Sequence, residues 1–221
     1  MEQKVNWHDF WSRDGNPGFH EAEGNTYLKQ FLPEFRLEPS SHIFLPLCGK
    51  TVDMLWLLNQ GFQVTGVELS EVAVKSFFEE SGLPYQVRQM QDFSCYYSEN
   101  IRLFHGNFID LNREHLAGCN LVYDRAAIVA IEPDIRHLYS QHMLRIIPAD
   151  ASMLLILLEY DQSIVSGPPF SVSVDEVKSY YGHRFHLNTL FCEDIIDQEP
   201  RWRERGLNSF REAVLKLDRI G

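Results

Sequence analysis

Glu68 stands nineteen residues after Gly49, and that interval suggests a chemistry. Gly49 lies in Pro46-Leu47-Cys48-Gly49-Lys50-Thr51, directly after an apolar run. A glycine there lets a ligand approach the backbone closely, and Thr51 is placed to cap a helix whose N-terminal dipole favours a nearby carboxylate. Rossmann folds hold ribose hydroxyls with an acidic residue ~20 positions beyond such a turn. Glu68 ends the next apolar run, Val64-Thr65-Gly66-Val67, and so occupies the ribose position. The competing reading is a solvated carboxylate ahead of Ser70, the cap of the following helix. A P-loop ending at Gly49-Lys50-Thr51 would need glycine where Phe44 stands, and a dinucleotide fingerprint needs a glycine cluster where this turn has one. With both phosphate cradles excluded, a phosphate-free nucleoside ligand fits better.

Asp124-Arg125-Ala126-Ala127 places a charged pair at the end of a later apolar run, beside the expected substrate edge; the alternative is a surface ion pair at a helix start. Gly167-Pro168-Pro169-Phe170 lacks the side-chain oxygen that an amine methylase would use at its first position and reads as a rigid loop. Trp7 and Trp11 share one helical face, and Phe19 follows the Gly15-Asn16-Pro17-Gly18 break. These aromatics form either a lid over a flat ligand or an ordinary docking surface. His183 and His186 belong to no HExxH pattern, so no metal is expected.

These residues need a scaffold that gathers strand ends. Short apolar runs at 43–47, 63–67, 101–104, 121–123 and 153–158 alternate with helical patterns at 52–59, 72–80 and 135–147, the signature of βαβ units. Two further strand candidates, 185–190 and 210–217, would add an antiparallel pair. The expectation is an α/β, Rossmann-like fold with a mainly parallel seven-stranded sheet flanked by helices. Residues 1–221 read as one domain, with 1–35 an N-terminal lid segment that includes an amphipathic helix from about Glu21 to Phe35.

The chain carries 20 Lys plus Arg against 31 Asp plus Glu, a formal charge of −11, which repels nucleic-acid backbones. A small-molecule partner is expected instead, with no nucleic acid, no membrane and a monomeric chain. Cys48, Cys95, Cys119 and Cys192 form no CxxC pair and read as reduced thiols. The start has no apolar signal core and no run is long enough to cross a bilayer, so a cytoplasmic protein is expected.

Trp7-x-x-x-Trp11, Phe19-His20-Glu21, Pro46 to Lys50, Gly66 to Ser70, Tyr123 to Ala126 and Gly167 to Phe170, in this order and spacing, closely resemble the thiopurine S-methyltransferase family, bacterial members above all. The resemblance implies methyl transfer from S-adenosyl-L-methionine to the sulfur of aromatic or heterocyclic thiols such as thiopurines. It extends to selenium and tellurium compounds in bacterial relatives, hence to detoxification. It implies cofactor contacts from Trp7, Leu47, Glu68, Leu69 and Arg125, with Asn107 and Phe108 beside the adenine; the lid residue Trp11 and the turn residue Gly49 join them. Phe19, Arg125 and Arg201 are implied on the substrate side, although Arg203 and Arg205 lie close enough for the register to slip.

An arginine near the acceptor sulfur would favour its thiolate, so Arg125 and Arg201 are the expected catalytic residues; the remaining task is in-line alignment and exclusion of water. Three alternatives stay open: a small-molecule methyltransferase for another nucleophile, a nicotinamide-dependent Rossmann oxidoreductase, and a noncatalytic adenosyl-ligand sensor.

Overall fold

His42-Ile43-Phe44-Leu45 is buried at every position and forms β1 (His42–Leu45), a strand covered on both faces. The computed structural model describes residue 11 and residues 23–220, and these divide into two compact units, within Glu2–Val122 plus Ile146–Pro148 and within Tyr123–Arg145 plus Ala149–Gly221.

In the first unit, α1 (Thr26–Phe31) is followed by a 3-10 turn at Leu32–Phe35. The expected helix from Glu21 is thus shorter. Asn25 caps it by accepting hydrogen bonds from Tyr27 and Leu28, and an N-cap residue is extended rather than helical. After β1 come α2 (Asp53–Asn59), β2 (Gln63–Glu68), α3 (Glu71–Ser81), β3 (Gln86–Gln89), β4 (Ser94–Tyr97), β5 (Ile101–His105) and β6 (Cys119–Arg125), which continues into the second unit. The strands lie in the order β3-β4-β5-β2-β1-β6. Parallel ladders join β5 to β2, β2 to β1 and β1 to β6, whereas β3–β4 and β4–β5 are antiparallel. Gly66 in β2 has no room for a side chain, since a Cβ would lie 2.6 Å from Cys48 Sγ and 2.7 Å from Leu103 Cδ2.

In the second unit, α4 (Pro133–Ile146), β7 (Ser152–Tyr160), α5 (Val174–Tyr181), β8 (Phe185–Asp194), α6 (Pro200–Glu204) and β9 (Phe210–Arg219) follow the end of β6. Strands β7 and β8 both pair antiparallel with β9, so the expected C-terminal antiparallel pair is present.

The described residues contain nine strands where the sequence suggested seven. The additional two, β3 and β4, form a hairpin beside β5. All four residues of β3 are exposed, so it carries no buried alternation for a sequence pattern to reveal. No helix among the described residues is long and apolar enough to cross a membrane.

Candidate active site

Three strand ends meet in the first unit. Cys48 N, after β1, donates to the carbonyl of Val67 (3.0 Å), and Gly106 N, after β5, donates to the carbonyl of Glu68 (3.0 Å). Glu68 itself, at the end of β2, spans two turns: Oε2 accepts from Gly49 N and Oε1 from Ser70 N, each at 2.8 Å. Only 5% of Glu68 is exposed. Burial pushes its carboxyl up from the ordinary carboxylate range, while the backbone N–H groups of Ser70, Gly49 and Leu69 draw it back down. Each carboxylate oxygen retains a lone pair for a further donor.

The backbone at this corner is unusual. Leu47 has φ 47° and Gly49 φ 54°, and a side chain in the left-handed region is costly for a branched residue such as leucine. Such strain persists where the surroundings over-determine it, most often at ligand sites. The indole of Trp11 lies on Gly49, and a Cβ there would come within 2.5 Å of Trp11 Cζ2. Leu69 follows Glu68 with 38% of its surface exposed. Ser70 caps α3 through Ala73 N, as expected. Cys48 is buried beside Glu68, and desolvation first, then the Glu68 charge, push its thiol up, so it is not a reactive thiolate.

Trp11, Leu47, Gly49, Glu68 and Leu69 are therefore gathered at one corner of the first unit. Asn107 lies just beyond Gly106, where its Oδ1 accepts from Ile109 N at 3.2 Å and caps a 3-10 turn. Phe108 is buried with 2% exposure and serves the core. Trp7 and Phe19 lie outside the described residues.

In the second unit, β6 ends at Asp124-Arg125. Asp124 is fully buried; Oδ1 accepts from Ile128 N (2.9 Å) and Oδ2 from the Tyr139 hydroxyl (2.7 Å). These bonds close the turn over Arg125 and Ala126, whose φ is 61°. Burial raises the Asp124 carboxyl to about 6 against the pull of those donors. Arg125 is half-buried. The alternative reading of Asp124–Arg125 as a surface ion pair does not hold, because Asp124 is buried and bonded to Ile128 and Tyr139. Phe170 N donates to the Val129 carbonyl at 2.6 Å, which brings the Gly167–Phe170 loop to the turn that follows Arg125. Arg201, on α6, is 61% exposed along its side chain and pairs with Glu199 at 3.0 Å.

Two groupings escaped the sequence reading. The Tyr139 contact to Asp124 spans fifteen residues from helix to strand end. The rings of Tyr160, Trp202 and Phe210 stack with centroids 4.8–5.7 Å apart, and they come from three different elements. Among the described residues no group of acidic, His and Cys side chains could hold a metal ion.

A family model described as thiopurine S-methyltransferase matches residues 2–220 of the chain. The chain belongs to the thiopurine S-methyltransferase family. Among its relatives, the thiopurine S-methyltransferase of Nitrosospira multiformis is 41% identical over 217 residues, covering 97% of each chain. That of Pseudomonas aeruginosa is 40% identical over 213 residues, covering 96% of this chain and 97% of its own. Solved structures show the same fold at low identity. Phosphoethanolamine N-methyltransferase 2 of Haemonchus contortus, in complex with S-adenosyl-L-methionine, superimposes with a TM-score of 0.66 at 10% identity. It matches 98% of this chain, which spans 60% of that longer one. A TehB-like S-adenosylmethionine-dependent methyltransferase from Corynebacterium glutamicum gives a TM-score of 0.57 at 13% identity, covering 89% of each chain. The fold is that of class I methyltransferases, and this family member is an S-adenosylmethionine-dependent methyltransferase. The nicotinamide and sensor alternatives are thereby set aside.

Proposed function

We propose that this methyltransferase acts on the sulfur of aromatic or heterocyclic thiols such as thiopurines, and that residues 1–221 work as one domain. The observation that carries the reading is the Glu68 carboxylate suspended between Gly49 and Ser70, in a chain whose relatives at about 40% identity are named thiopurine S-methyltransferases. S-adenosylmethionine supplies an electrophilic methyl group on its sulfonium. Glu68 fits the ribose hydroxyls, because its two backbone bonds fix the carboxylate and leave acceptor capacity unused. Leu69, half exposed and apolar, suits the face of an adenine, and the Asn107 turn lies one hydrogen bond from Glu68 through Gly106. Leu47 and Gly49 present backbone to the remainder, with Trp11 above Gly49 and Trp7 assigned with it by resemblance.

Arg125, at the carboxyl end of β6, is assigned to the acceptor, where a fixed guanidinium lowers the pKa of a thiol and so supplies what a general base would. Arg201 and Phe19 are assigned to the same side by the family resemblance. Selenium and tellurium compounds extend the proposed acceptor range, and a detoxifying role follows from it. The test is transfer of labelled methyl onto a panel of 6-mercaptopurine, benzenethiols, phenols, anilines, selenite and tellurite. Transfer confined to phenols or anilines would replace the thiol reading by another small-molecule nucleophile.

A further inference from the structure

The second unit contains a cation that the family assignment does not use. Three arginines lie on or beside α6. Arg201 pairs with Glu199 at 3.0 Å and Arg203 with Asp197, whereas Arg205 makes no ion pair among the described residues. Its guanidinium sits 4.7 Å from the centre of the Trp202 ring, nearer than that of Arg201 at 5.6 Å. That ring begins a layered stack: Trp202 to Phe210 at 4.8 Å and 16°, and Phe210 to Tyr160 at 5.7 Å and 23°. Val165, Ile195, Ile196 and Leu207 bury the stack, so Arg205 rests on a rigid aromatic floor rather than on a mobile loop.

The stack stands at a strand end that also holds the loop 167–170. Tyr160 closes β7 opposite Phe210, and its hydroxyl donates to the carbonyl of Pro169. Through Phe170 that loop is bonded to Val129, just after the Arg125 turn. The carboxyl ends of β6 and β7 are thus tied together, and Arg205 lies within electrostatic reach of Tyr160 between them and α6. Gly206, with φ +98°, faces Ile164, whose side chain is 47% exposed. An exposed guanidinium with no ion-pair partner among the described residues, held against the face of a buried indole, turns its outer N–H groups to solvent in the fork geometry that recognises a carboxylate.

We propose that Arg205 is a specificity-determining residue that binds the carboxylate of aromatic thiol acceptors bearing one. This rests on the thiol-acceptor reading above. The roles of Arg201 and Arg205 then differ: the first carries a carboxylate partner already, and the second is free to take the acceptor's.

The test compares 4-mercaptobenzoate with 4-methylbenzenethiol, which place a carboxylate or a methyl group opposite the thiol. Binding of each is measured by calorimetry with S-adenosylhomocysteine present, and KM by methyl transfer, for the full chain and for Arg205→Gln, Arg205→Lys and Arg203→Gln. Losing one charge-assisted contact should raise the Kd and KM ratio of the carboxylate thiol to the methyl thiol about tenfold in Arg205→Gln, and less in Arg205→Lys. Arg203→Gln, which removes a nearby cation already paired with Asp197, should leave that ratio near its original value. An unchanged ratio in Arg205→Gln, or the same rise in Arg203→Gln, overturns the assignment. If neither thiol is methylated but Arg205→Gln still weakens 4-mercaptobenzoate selectively, the subsite stands and the thiol methyltransferase reading falls.

Discussion

The hydroxyl of Tyr139, on α4, donates to the buried carboxylate of Asp124 at the end of β6, while the other carboxylate oxygen takes Ile128 N. Since burial raises that carboxyl from 3.8 to about 6, the folded state holds its proton more tightly than the unfolded chain. Its contribution to stability is complete below pH ~4 and is lost as the pH rises through about 6, a difference on the order of 3 kcal/mol. Asp124→Asn keeps an acceptor for Ile128 and cannot ionise. Its stability relative to the parent should therefore grow between pH 4 and 6 in urea titrations, and a pH-independent difference would refute this.

His42 runs the opposite way. Its Nε2 lies 2.7 Å from Thr65 Oγ1, and desolvation, helped by Arg102, lowers its pKa from 6.5 to about 4. The folded protein keeps this ring neutral, so its contribution is present above pH ~6.5 and is lost as the pH falls toward 4, again on the order of 3 kcal/mol. His42→Gln should gain on the parent as the solution is acidified. Because the two windows overlap, these slopes oppose each other in the parent and separate only in the variants.

Glu68→Gln places an amide against the N–H of Gly49 or Ser70 and removes the charge. Affinity for S-adenosylhomocysteine should fall ~10- to 100-fold, from about 1.5–3 kcal/mol for charged hydrogen bonds. Turnover at saturating cofactor should fall less, since a ribose contact acts on ground and transition states alike. Unchanged affinity by calorimetry would remove Glu68 from the site.

Gly49→Ala brings a methyl group to 2.5 Å from Trp11 Cζ2 at a backbone φ of +54°. A loss of about 1–3 kcal/mol is expected. Trp11→Leu should relieve the steric part, so the double variant should be less destabilised than the sum of the singles in thermal denaturation. Strict additivity would mean that the φ strain alone sets the cost.

Arg125→Ala should slow transfer to a weakly acidic thiol more than to a strongly acidic one, with the gap closing as the pH rises and both acceptors ionise. Arg125→Lys should be intermediate, keeping charge without the planar fork. Equal, pH-independent losses for both thiols would make Arg125 a structural residue.

The central strands were legible because β1 and β2 are unbroken buried runs, and the Gly49–Glu68 interval carried the site because one hydrogen bond spans it. The β3–β4 hairpin was not, since Gln86-Val87-Arg88-Gln89 offers solvent the same face pattern as a loop. Helix α5 was missed as well: its eight residues bury only Val177 and Tyr181, too few contacts for a 3.6 period to register. Tyr139 and Trp202 gain their roles from partners in distant elements, and a single sequence carries no mark of such pairing. Asp124 was noticed for its neighbour Arg125, whereas its partners are a backbone amide four residues on and a tyrosine on the next helix.

The outermost position of β3 has a bearing on how copies of this chain behave when crowded. Among the described residues its outward ladder is unpaired, an open template for another strand, and such edges seed association unless something makes pairing expensive. Arg88, whose guanidinium lies 5.6 Å from the Tyr97 ring centre, supplies that expense. Two copies pairing edge to edge would bring like charges at this position close together across the new ladder, which disfavours the contact. One charged residue on a four-residue margin thus acts as a colloidal safeguard, and a neutral side chain at position 88 would leave Val87 on an edge open to its own kind.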